Sequence, residues 1–224
     1  RVSLLPEAVA ALTKNGHAVV VETGAGEAAF ATNLAYEKAG AALAAKEEVV
    51  AKSDVILSIH PPSSQLSIPA SKILIGIYQV LYNGELVQQW AQAGLTVFSM
   101  EMLPRTTRAQ SMDVLSSQAN IAGYKSVVLA AGLYPRYFPM FMTAAGSITP
   151  AKVLILGAGV AGLQAIATAR RLGAVVEVFD TRPAVKEEVQ SLGAKYVEVE
   201  GAADPSAAGG DAVEQTEDYK QRQQ

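Results

Sequence analysis

Cysteine is absent from the 224-residue chain, and histidine occurs only twice, as His17 and His60. Without cysteine the chain can form no disulfide framework, no thiolate nucleophile and no thiolate metal site. Two histidines are also too few for a histidine-rich metal centre. The sequence therefore predicts that the chain holds no metal ion.

Charge is also scarce, because only 17% of the residues are charged and the formal net charge is −3. This balance lacks the basic footprint of a nucleic-acid-binding protein, so we expect no nucleic-acid partner. Half of the residues are apolar, which excludes a disordered chain and allows well-filled cores.

Long apolar runs are missing as well. A membrane-spanning helix needs about 18 consecutive apolar residues. The nearest stretch, Val127 to Ile148, is interrupted by Pro135, Arg136 and Pro139. The chain also begins without methionine and ends in a polar run, so we interpret it as a piece of a longer protein.

The most informative stretch runs from Lys152 to Asp180. A short apolar run of buried-strand type opens it, and the pattern G-x-G-x-x-G follows with Gly157, Gly159 and Gly162. A helical pattern comes next, and then a second β-branched run that ends in Asp180. The order strand, glycine turn, helix, strand and acid is that of a dinucleotide-binding half-domain.

Each glycine has a predicted task in holding a dinucleotide. Gly157 permits the tight turn, Gly159 lets the backbone approach a pyrophosphate, and Gly162 lets the helix lie close to the strand. The helix N-terminus offers N–H groups and the positive end of a dipole to the phosphates. The same pattern can also form a plain turn in a domain that binds nothing, but the complete context favours cofactor binding.

Asp180 decides which dinucleotide is expected. A carboxylate at the tip of the second strand can accept hydrogen bonds from a ribose 2′-hydroxyl and would repel the 2′-phosphate of NADP, so NAD(H) is favoured. Arg182 is the one dissenting residue, because its charge could neutralise a 2′-phosphate. We also include Val160 and Thr181, which adjoin the glycines and the acid, in the predicted cofactor site.

Helical and strand patterns alternate along the chain, which predicts an α/β fold of two Rossmann-like lobes with parallel sheets. We expect an N-terminal α/β lobe at 1–110, an interlobe helix and linker at 111–139, and an NAD-binding Rossmann lobe at 140–224. The second lobe is predicted to be truncated, because a complete dinucleotide fold has a second half of about three strands. The finer predictions are a helix at 111–131, a loop at 142–150, a helix at 183–192 and a strand at 195–199.

A second stretch, Met102 to Tyr124, is unusually dense in hydrogen-bonding side chains. Eight of its polar residues fall within sixteen positions, namely Arg105, Arg108, Gln110, Asp113, Ser116, Ser117, Gln118 and Asn120. Composition alone leaves two interpretations open. One is a solvated loop followed by a capped helix, and the other is a polar loop at the lobe junction, where pockets form.

These stretches together resemble a known family. The segments R-A-Q-S-M-D-V-L-S-S-Q-A-N-I-A-G-Y from residue 108, F-P-M-F-M-T-A-A-G from residue 138 and G-A-G-V-A-G-L-Q-A-I-A-T-A-R-R-L-G-A from residue 157 carry the resemblance. They are similar to the NAD(H)-binding domain, in the alpha subunit, of proton-translocating NAD(P) transhydrogenase. The similarity runs over the whole chain, and these motifs are far more specific than the glycine pattern alone.

The resemblance assigns roles to the polar stretch. In that family the loop that matches Arg105 to Ser116 lies over the nicotinamide of NAD(H). Arg105 and Asp113 would hold the nicotinamide ring and carboxamide, and Ser116 would hydrogen-bond to the carboxamide. Gln110 would reach toward NADP(H), and Tyr124 matches a tyrosine of the same region.

The resemblance also implies an activity and its partners. Hydride would pass directly between NADH and NADP⁺, coupled to proton translocation by a separate membrane domain. A further domain would hold NADP(H), the chain would form a homodimer, and the fragment would be inactive without its partner domains. The implied location is the cytoplasmic face of a bacterial inner membrane, or the matrix side of the mitochondrial inner membrane.

The closest alternative is alanine dehydrogenase, which has the same two-lobe fold and binds its substrate with an arginine, a lysine and a histidine. Arg1 matches the arginine, whereas His60 falls at the lysine and Gln79 at the histidine. A pocket without that lysine and histidine lacks a carboxylate anchor and a proton-transfer group, which favours the transhydrogenase. A non-catalytic dinucleotide-binding module is the third hypothesis.

One position departs from the transhydrogenase pattern. That family carries a tyrosine after the glycine pair of its mobile loop, whereas Asp211 follows Gly209 and Gly210 here. The departure bears on whether this loop closes over the cofactor.

Overall fold

The computed structural model of the chain describes residues 1–62, 68–104 and 106–198. The chain divides into two compact units, Arg1–Val114 and Leu115–Gln224. Parallel sheets occur in both units, so the predicted α/β fold class is confirmed. The domain boundaries that the sequence suggested, near residues 110 and 140, stay predictions.

Helices and strands alternate along the described residues. The α-helices are α1 (Pro6–Lys14), α2 (Asn33–Lys38), α3 (Lys46–Lys52), α4 (Gly84–Gln92), α5 (Val114–Leu133), α6 (Val160–Arg171) and α7 (Lys186–Ser191). The strands are β1 (Val20–Glu22), β2 (Ala42–Ala44), β3 (Val55–Ser58), β4 (Ile73–Gly76), β5 (Thr96–Ser99), β6 (Phe141–Thr143), β7 (Gly146–Ile148), β8 (Lys152–Leu156), β9 (Val175–Phe179) and β10 (Lys195–Tyr196). Short 3₁₀ turns occupy Glu27–Ala29, Met100–Met102, Thr107–Met112 and Pro183–Val185.

The first unit contains two parallel sheets. Strand β1 pairs with β2, and β3, β4 and β5 lie side by side in that order. Leu74 of β4 is fully buried, and the rings of Tyr78 and Trp90 pack edge to face with their centroids 5.2 Å apart. In a separate cluster, Tyr36 is buried and its hydroxyl donates to the carbonyl oxygen of Leu4 at 2.7 Å.

The second unit contains a three-stranded parallel sheet in the order β10–β9–β8. This is the 3-2-1 order of a dinucleotide-binding half, with α6 between β8 and β9 and α7 between β9 and β10. Ile166 of α6, Val176 and Val178 of β9 and Val189 of α7 are almost fully buried. Since β8 and β9 are parallel neighbours, this core brings their carboxyl ends to one edge of the sheet.

One finer prediction is wrong and one strand was missed. The segment predicted as a loop at 142–150 forms an antiparallel hairpin of β6 and β7, with Thr143 opposite Gly146. The Thr143 hydroxyl donates to the Gly146 carbonyl oxygen at 3.0 Å and accepts from the Ala145 N–H, which closes the turn. Strand β2 was missed because Ala-Leu-Ala lacks the β-branched residues that mark a strand.

Two predicted elements are shorter than expected. The helix predicted at 183–192 divides into the 3₁₀ turn Pro183–Val185 and helix α7. The strand predicted at 195–199 is the two-residue β10, and Val199 lies outside the described residues, as do Gly209, Gly210 and Asp211. In the portion of the chain that the structure describes, no helix combines the length and apolar character needed to cross a membrane.

Candidate functional site

The glycine turn follows β8 and has the backbone that the motif requires. Gly157 has a φ of +95°, a backbone conformation that residues other than glycine rarely adopt. A Cβ atom on Gly162 would lie 1.9 Å from the carbonyl oxygen of Gly157. Helix α6 therefore packs against the strand end at a distance that only glycine allows. A Cβ on Gly159 would meet nothing within 4 Å, so the space above this residue is open.

Helix α6 presents its N-terminus at the same place. Gly159 occupies the N-cap position and has no side chain that could accept a hydrogen bond from the first turn. The first intrahelical bond of this end runs from the Leu163 N–H to the Gly159 carbonyl oxygen at 2.8 Å. The N–H groups before Leu163 therefore have no carbonyl acceptor within the helix, and the positive end of the dipole lies here. Val160, the first helical residue, is 43% exposed.

Asp180 follows β9 and is buried, with 9% of its surface exposed. Its Oδ2 atom accepts from the Ala158 N–H at 2.6 Å and from Nη2 of Arg182 at 3.1 Å. Its Oδ1 atom accepts from the backbone N–H of Arg182 at 2.8 Å and from Nε of Arg182 at 3.1 Å. A carboxylate has about four acceptor positions, so donors of the chain itself fill them.

This pairing sets the electrostatics of the candidate ribose site. Burial raises the pKa of the Asp180 carboxyl, but the hydrogen bonds from the Arg182 side chain and from the Ala158 and Arg182 N–H groups outweigh burial and lower the pKa below its usual value. The carboxylate is therefore ionised at neutral pH, and the Arg182 charge offsets it. A ribose hydroxyl can bond to Asp180 only where it replaces an Arg182 donor.

A tyrosine of β10 contacts the backbone at the end of β9, where Asp180 and Arg182 lie. The Tyr196 hydroxyl donates to the carbonyl oxygen of Asp180 at 2.6 Å and lies 3.4 Å from that of Arg182. Thr181 lies between them and is partly exposed. The structure thus brings the predicted glycines, Val160, Asp180, Thr181 and Arg182 together at the carboxyl edge of one sheet. Their roles in holding a cofactor stay predictions.

The predicted nicotinamide residues lie in a turn before α5 and in its first turns. Gln110 is exposed on the 3₁₀ turn Thr107–Met112, and Asp113 is the residue directly before α5. Ser116 is partly exposed in the first turn of α5, and Tyr124 is 50% exposed farther along that helix. Arg105 lies outside the described residues.

Sequence analysis missed a second hydrogen-bonded carboxylate, the partly buried Glu101 of the first unit. Glu101 accepts from the Ser99 hydroxyl at 2.6 Å, from the Val80 N–H at 3.2 Å and from the Tyr78 N–H at 3.3 Å. Between those two N–H groups, Gln79 has a φ of +51°, so the carboxylate holds a strained turn after β4. The sequence did contain a signal for this residue, because Glu101 comes two residues after the end of β5, which lies next to the end of β4 in the sheet.

Metal ligation has no candidate in the described portion of the chain. Residues 1–62, 68–104 and 106–198 contain no group of three histidine, aspartate or glutamate residues that could hold a metal ion. The site described above therefore consists of backbone N–H groups, one carboxylate and one guanidinium.

Two family models match the chain. Residues 1–122 match the alanine dehydrogenase/PNT N-terminal domain, and residues 126–223 match the alanine dehydrogenase/PNT C-terminal domain. These two matches cover almost the whole chain.

Individual relatives give the same assignment. Over 228 aligned residues the chain is 41% identical to the NAD(P) transhydrogenase subunit alpha of Cereibacter sphaeroides, with all of this chain and 44% of that protein covered. The chain therefore spans less than half the length of this relative. The crystal structure of transhydrogenase from Sinorhizobium meliloti matches with a TM-score of 0.85 and 52% identity over 88% of this chain and 60% of that one. An L-alanine dehydrogenase structure matches with a TM-score of 0.74 and 27% identity over 88% of this chain and 57% of that one.

Both family models and the similarity to transhydrogenase alpha subunits agree with the fold and with the glycine turn. The chain belongs to the alanine dehydrogenase/PNT family.

Proposed function

We propose that the chain is the NAD(H)-binding portion of a proton-translocating NAD(P) transhydrogenase. The observation that carries the proposal is the open glycine turn at the N-terminus of α6, with the Asp180 carboxylate directly beside it. Greater identity to the transhydrogenases than to the alanine dehydrogenase supports the choice within the family.

The glycine turn and Asp180 give the chain two contacts with NAD(H). The N–H groups of the first turn of α6 bind the pyrophosphate, and the open space above Gly159 lets the phosphates approach the backbone. The adenosine ribose lies at Asp180, where its hydroxyls take over acceptor positions that Arg182 fills in the structure. Val160 and Thr181 adjoin these two contacts.

The polar stretch before α5 acts on the nicotinamide end. Bound NAD(H) supplies or accepts the hydride, so no protein acid or base is required. The chain has to hold the ring where the two reacting carbons approach within about 3–3.5 Å. Arg105, Asp113 and Ser116 hold the ring and its carboxamide, Tyr124 belongs to the same region, and Gln110 reaches toward NADP(H).

The remaining steps of the activity belong to partners. NADP(H) is held by a separate domain, proton translocation is carried out by a membrane domain, and the chain acts as a homodimer. This arrangement has the chain on the cytoplasmic face of a bacterial inner membrane or on the matrix side of the mitochondrial inner membrane. Alone, the chain binds NADH but transfers no hydride.

The proposal is tested by a hydride-transfer assay with and without a purified transhydrogenase NADP(H)-binding domain. We expect transfer from NADH to NADP⁺ only when both are present. Absence of transfer in the mixture, with NADH bound to the chain, would contradict the proposed enzyme.

The alanine dehydrogenase alternative needs no partner, so a panel of small amino acids with NAD⁺ separates it. We expect no reduction of NAD⁺, because His60 and Gln79 stand where that enzyme has its lysine and histidine. Alanine-dependent formation of NADH by the chain alone would favour the alternative.

A further inference from the structure

We propose that Gly123 of α5 is a positioning residue that sets the location of the first turn of α6 and hence of the pyrophosphate-binding N–H groups. The inference rests on the proposed binding of NAD(H) at that turn. It concerns a residue on a different helix from the glycine motif, outside the residues that touch the cofactor.

Gly123 lies in the middle of α5 and is buried. A Cβ atom on it would lie 2.0 Å from the carbonyl oxygen of Ala161, 2.9 Å from its carbonyl carbon and 3.0 Å from its Cα. All three atoms belong to the backbone, so no side chain can rotate away to make room. The two helices therefore approach as closely as their backbones permit.

Ala161 belongs to the first turn of α6, directly before Gly162. Gly162 in turn contacts the carbonyl oxygen of Gly157, where its Cβ would lie 1.9 Å away. The first turn is thus in backbone contact with α5 through Ala161 and with the glycine turn through Gly162. The Ala158 N–H of that glycine turn is bonded to Asp180. A displacement at Ala161 therefore reaches the groups that would bind the pyrophosphate.

The displacement that a methyl group at Gly123 demands can be estimated from the contact distance. Real Cβ contacts essentially never lie under 3.0 Å, so a contact of 2.0 Å has to open by about 1 Å in a close-packed interior. Hydrogen bonds from N–H to oxygen lie within a range of about 0.5 Å. A shift of about 1 Å is therefore large enough to break the alignment of a phosphate with the N–H groups.

Helix α5 offers a matched control. Gly132 lies in the same helix, and a Cβ on it would meet nothing within 4 Å. Replacing either glycine by alanine raises the helix propensity of α5. Any difference between the two variants in ligand affinity therefore comes from the contact with Ala161.

The experiment titrates NADH fluorescence on the wild-type chain, Gly123→Ala, Gly132→Ala and the double variant, and records both affinity and binding capacity. Competition with ADP-ribose and with adenosine separates the pyrophosphate contact from the nucleoside contact. We expect Gly132→Ala to bind as the wild type does. We expect Gly123→Ala to raise the Kd for NADH and for ADP-ribose about tenfold, which corresponds to the loss of one hydrogen bond to a charged group. The number of NADH molecules bound per chain should stay unchanged. The Kd for adenosine should rise by a smaller factor.

Three results would overturn the inference. They are an unchanged Kd in Gly123→Ala, an equal rise for adenosine and ADP-ribose, and a reduced capacity with unchanged Kd. If Gly123→Ala fails to fold, the double variant is measured in its place, because Gly132→Ala raises the helix propensity of α5. A reduced binding capacity for NADH in the double variant as well would show that Gly123 serves only the packing of the fold. A wild-type chain that binds no NADH would refute the proposed function itself.

Discussion

The Asp180 carboxylate accepts a hydrogen bond of 2.6 Å from the backbone N–H of Ala158, so the acid after β9 holds the glycine turn after β8. The acid of the motif thus supports the glycine turn, in addition to the contact with the ribose that we propose for it. Any substitution at Asp180 acts on both, and experiments have to separate the two effects.

Replacing Asp180 by alanine should lower the free energy of unfolding. Ala158 is 2% exposed, and its N–H would lose its acceptor, which costs about 1–3 kcal/mol. Asp180→Asn keeps a side-chain oxygen that can accept from Ala158, so it should cost less than Asp180→Ala. Urea denaturation of both variants measures the difference. Equal destabilisation would show that the bond to Ala158 is not the stabilising contact.

Arg182 should control the discrimination between NADH and NADPH. Its guanidinium offsets the charge of Asp180, and without it the carboxylate would repel a 2′-phosphate with its full charge. In Arg182→Met we expect the ratio of the NADPH Kd to the NADH Kd to rise about fivefold, since one interaction between unit charges at 4 Å is about 1 kcal/mol even in water.

The control for this variant is Arg171→Met, because Arg171 is exposed in the last turn of α6, at the other end from the glycine turn. This variant should leave the ratio unchanged. A ratio that stays constant in Arg182→Met, or rises equally in Arg171→Met, would exclude Arg182 as the residue that sets the discrimination.

The free energy of unfolding should decrease at acidic pH because the Asp180 carboxylate becomes protonated. Burial raises the pKa of its carboxyl, but hydrogen bonds from Arg182 and Ala158 lower the pKa in the folded chain below the ordinary value of about 4. The folded chain then binds the proton more weakly than the unfolded chain. The contribution is complete above about pH 4–5 and is lost as the pH falls through the folded pKa.

The free energy of unfolding at pH 7, 5, 4 and 3 checks this sign. Asp180→Asn should lose less stability than the wild type between pH 5 and pH 3. Glu101, whose pKa is raised by burial and lowered more by the hydrogen bonds from Ser99, Val80 and Tyr78, should contribute in the same direction. Parallel losses in the wild type and in Asp180→Asn would exclude Asp180 as a source.

Glu101→Ala should destabilise the first unit. The substitution removes the acceptor of the Val80 N–H, next to the strained Gln79. The Tyr78 N–H loses its bond to Glu101 but keeps the Ser99 hydroxyl oxygen as an acceptor at 3.1 Å. Leaving the Val80 N–H without an acceptor should cost about 1–3 kcal/mol. Glu85→Ala, at an exposed position in the first turn of α4, should change stability by about 0.5 kcal/mol or less. Similar effects of the two variants in thermal unfolding would contradict the assigned role of Glu101.

The sequence was sufficient for features whose signal is local. The apolar runs of β8 and β9, the glycine pattern and the acid at the strand end all lie within one continuous stretch, and the structure has them in that order. The hydrogen bond between Asp180 and Ala158 depends on two strands lying side by side, so no local sequence pattern predicts it. The contact of Gly123 with Ala161 depends on how two helices cross, for the same reason. The hairpin of β6 and β7 was missed because its turn lacks the Asn-Gly or Asp-Gly pair that signals a hairpin.

Arg105→Ala should lower the rate of hydride transfer by much more than it weakens NADH binding. Arg105 and Asp113 have opposite charges, so we expect them to help fix each other as well as the ring, and removal of the arginine should loosen the nicotinamide. The adenosine end, at the glycine turn and Asp180, should be little affected. Transfer rates with the NADP(H)-binding domain and NADH titrations measure both quantities, with Arg108→Ala as the control for a nearby exposed arginine. Equal factors for rate and binding would assign Arg105 to uniform binding.

The measurement that tests the central claim most directly is an NADH titration of the wild-type chain and Gly159→Val. Gly159 has an ordinary φ of −77°, and a Cβ on it would meet nothing within 4 Å, so the fold accommodates a side chain there. The same side chain would occupy the space that the pyrophosphate needs. We predict that Gly159→Val folds, with a loss of stability of about 1 kcal/mol from the less favourable N-cap residue. We also predict that it binds NADH at least about tenfold more weakly, which corresponds to the loss of one hydrogen bond to a charged group. Wild-type affinity in this variant would contradict the assignment of the glycine turn as the cofactor site.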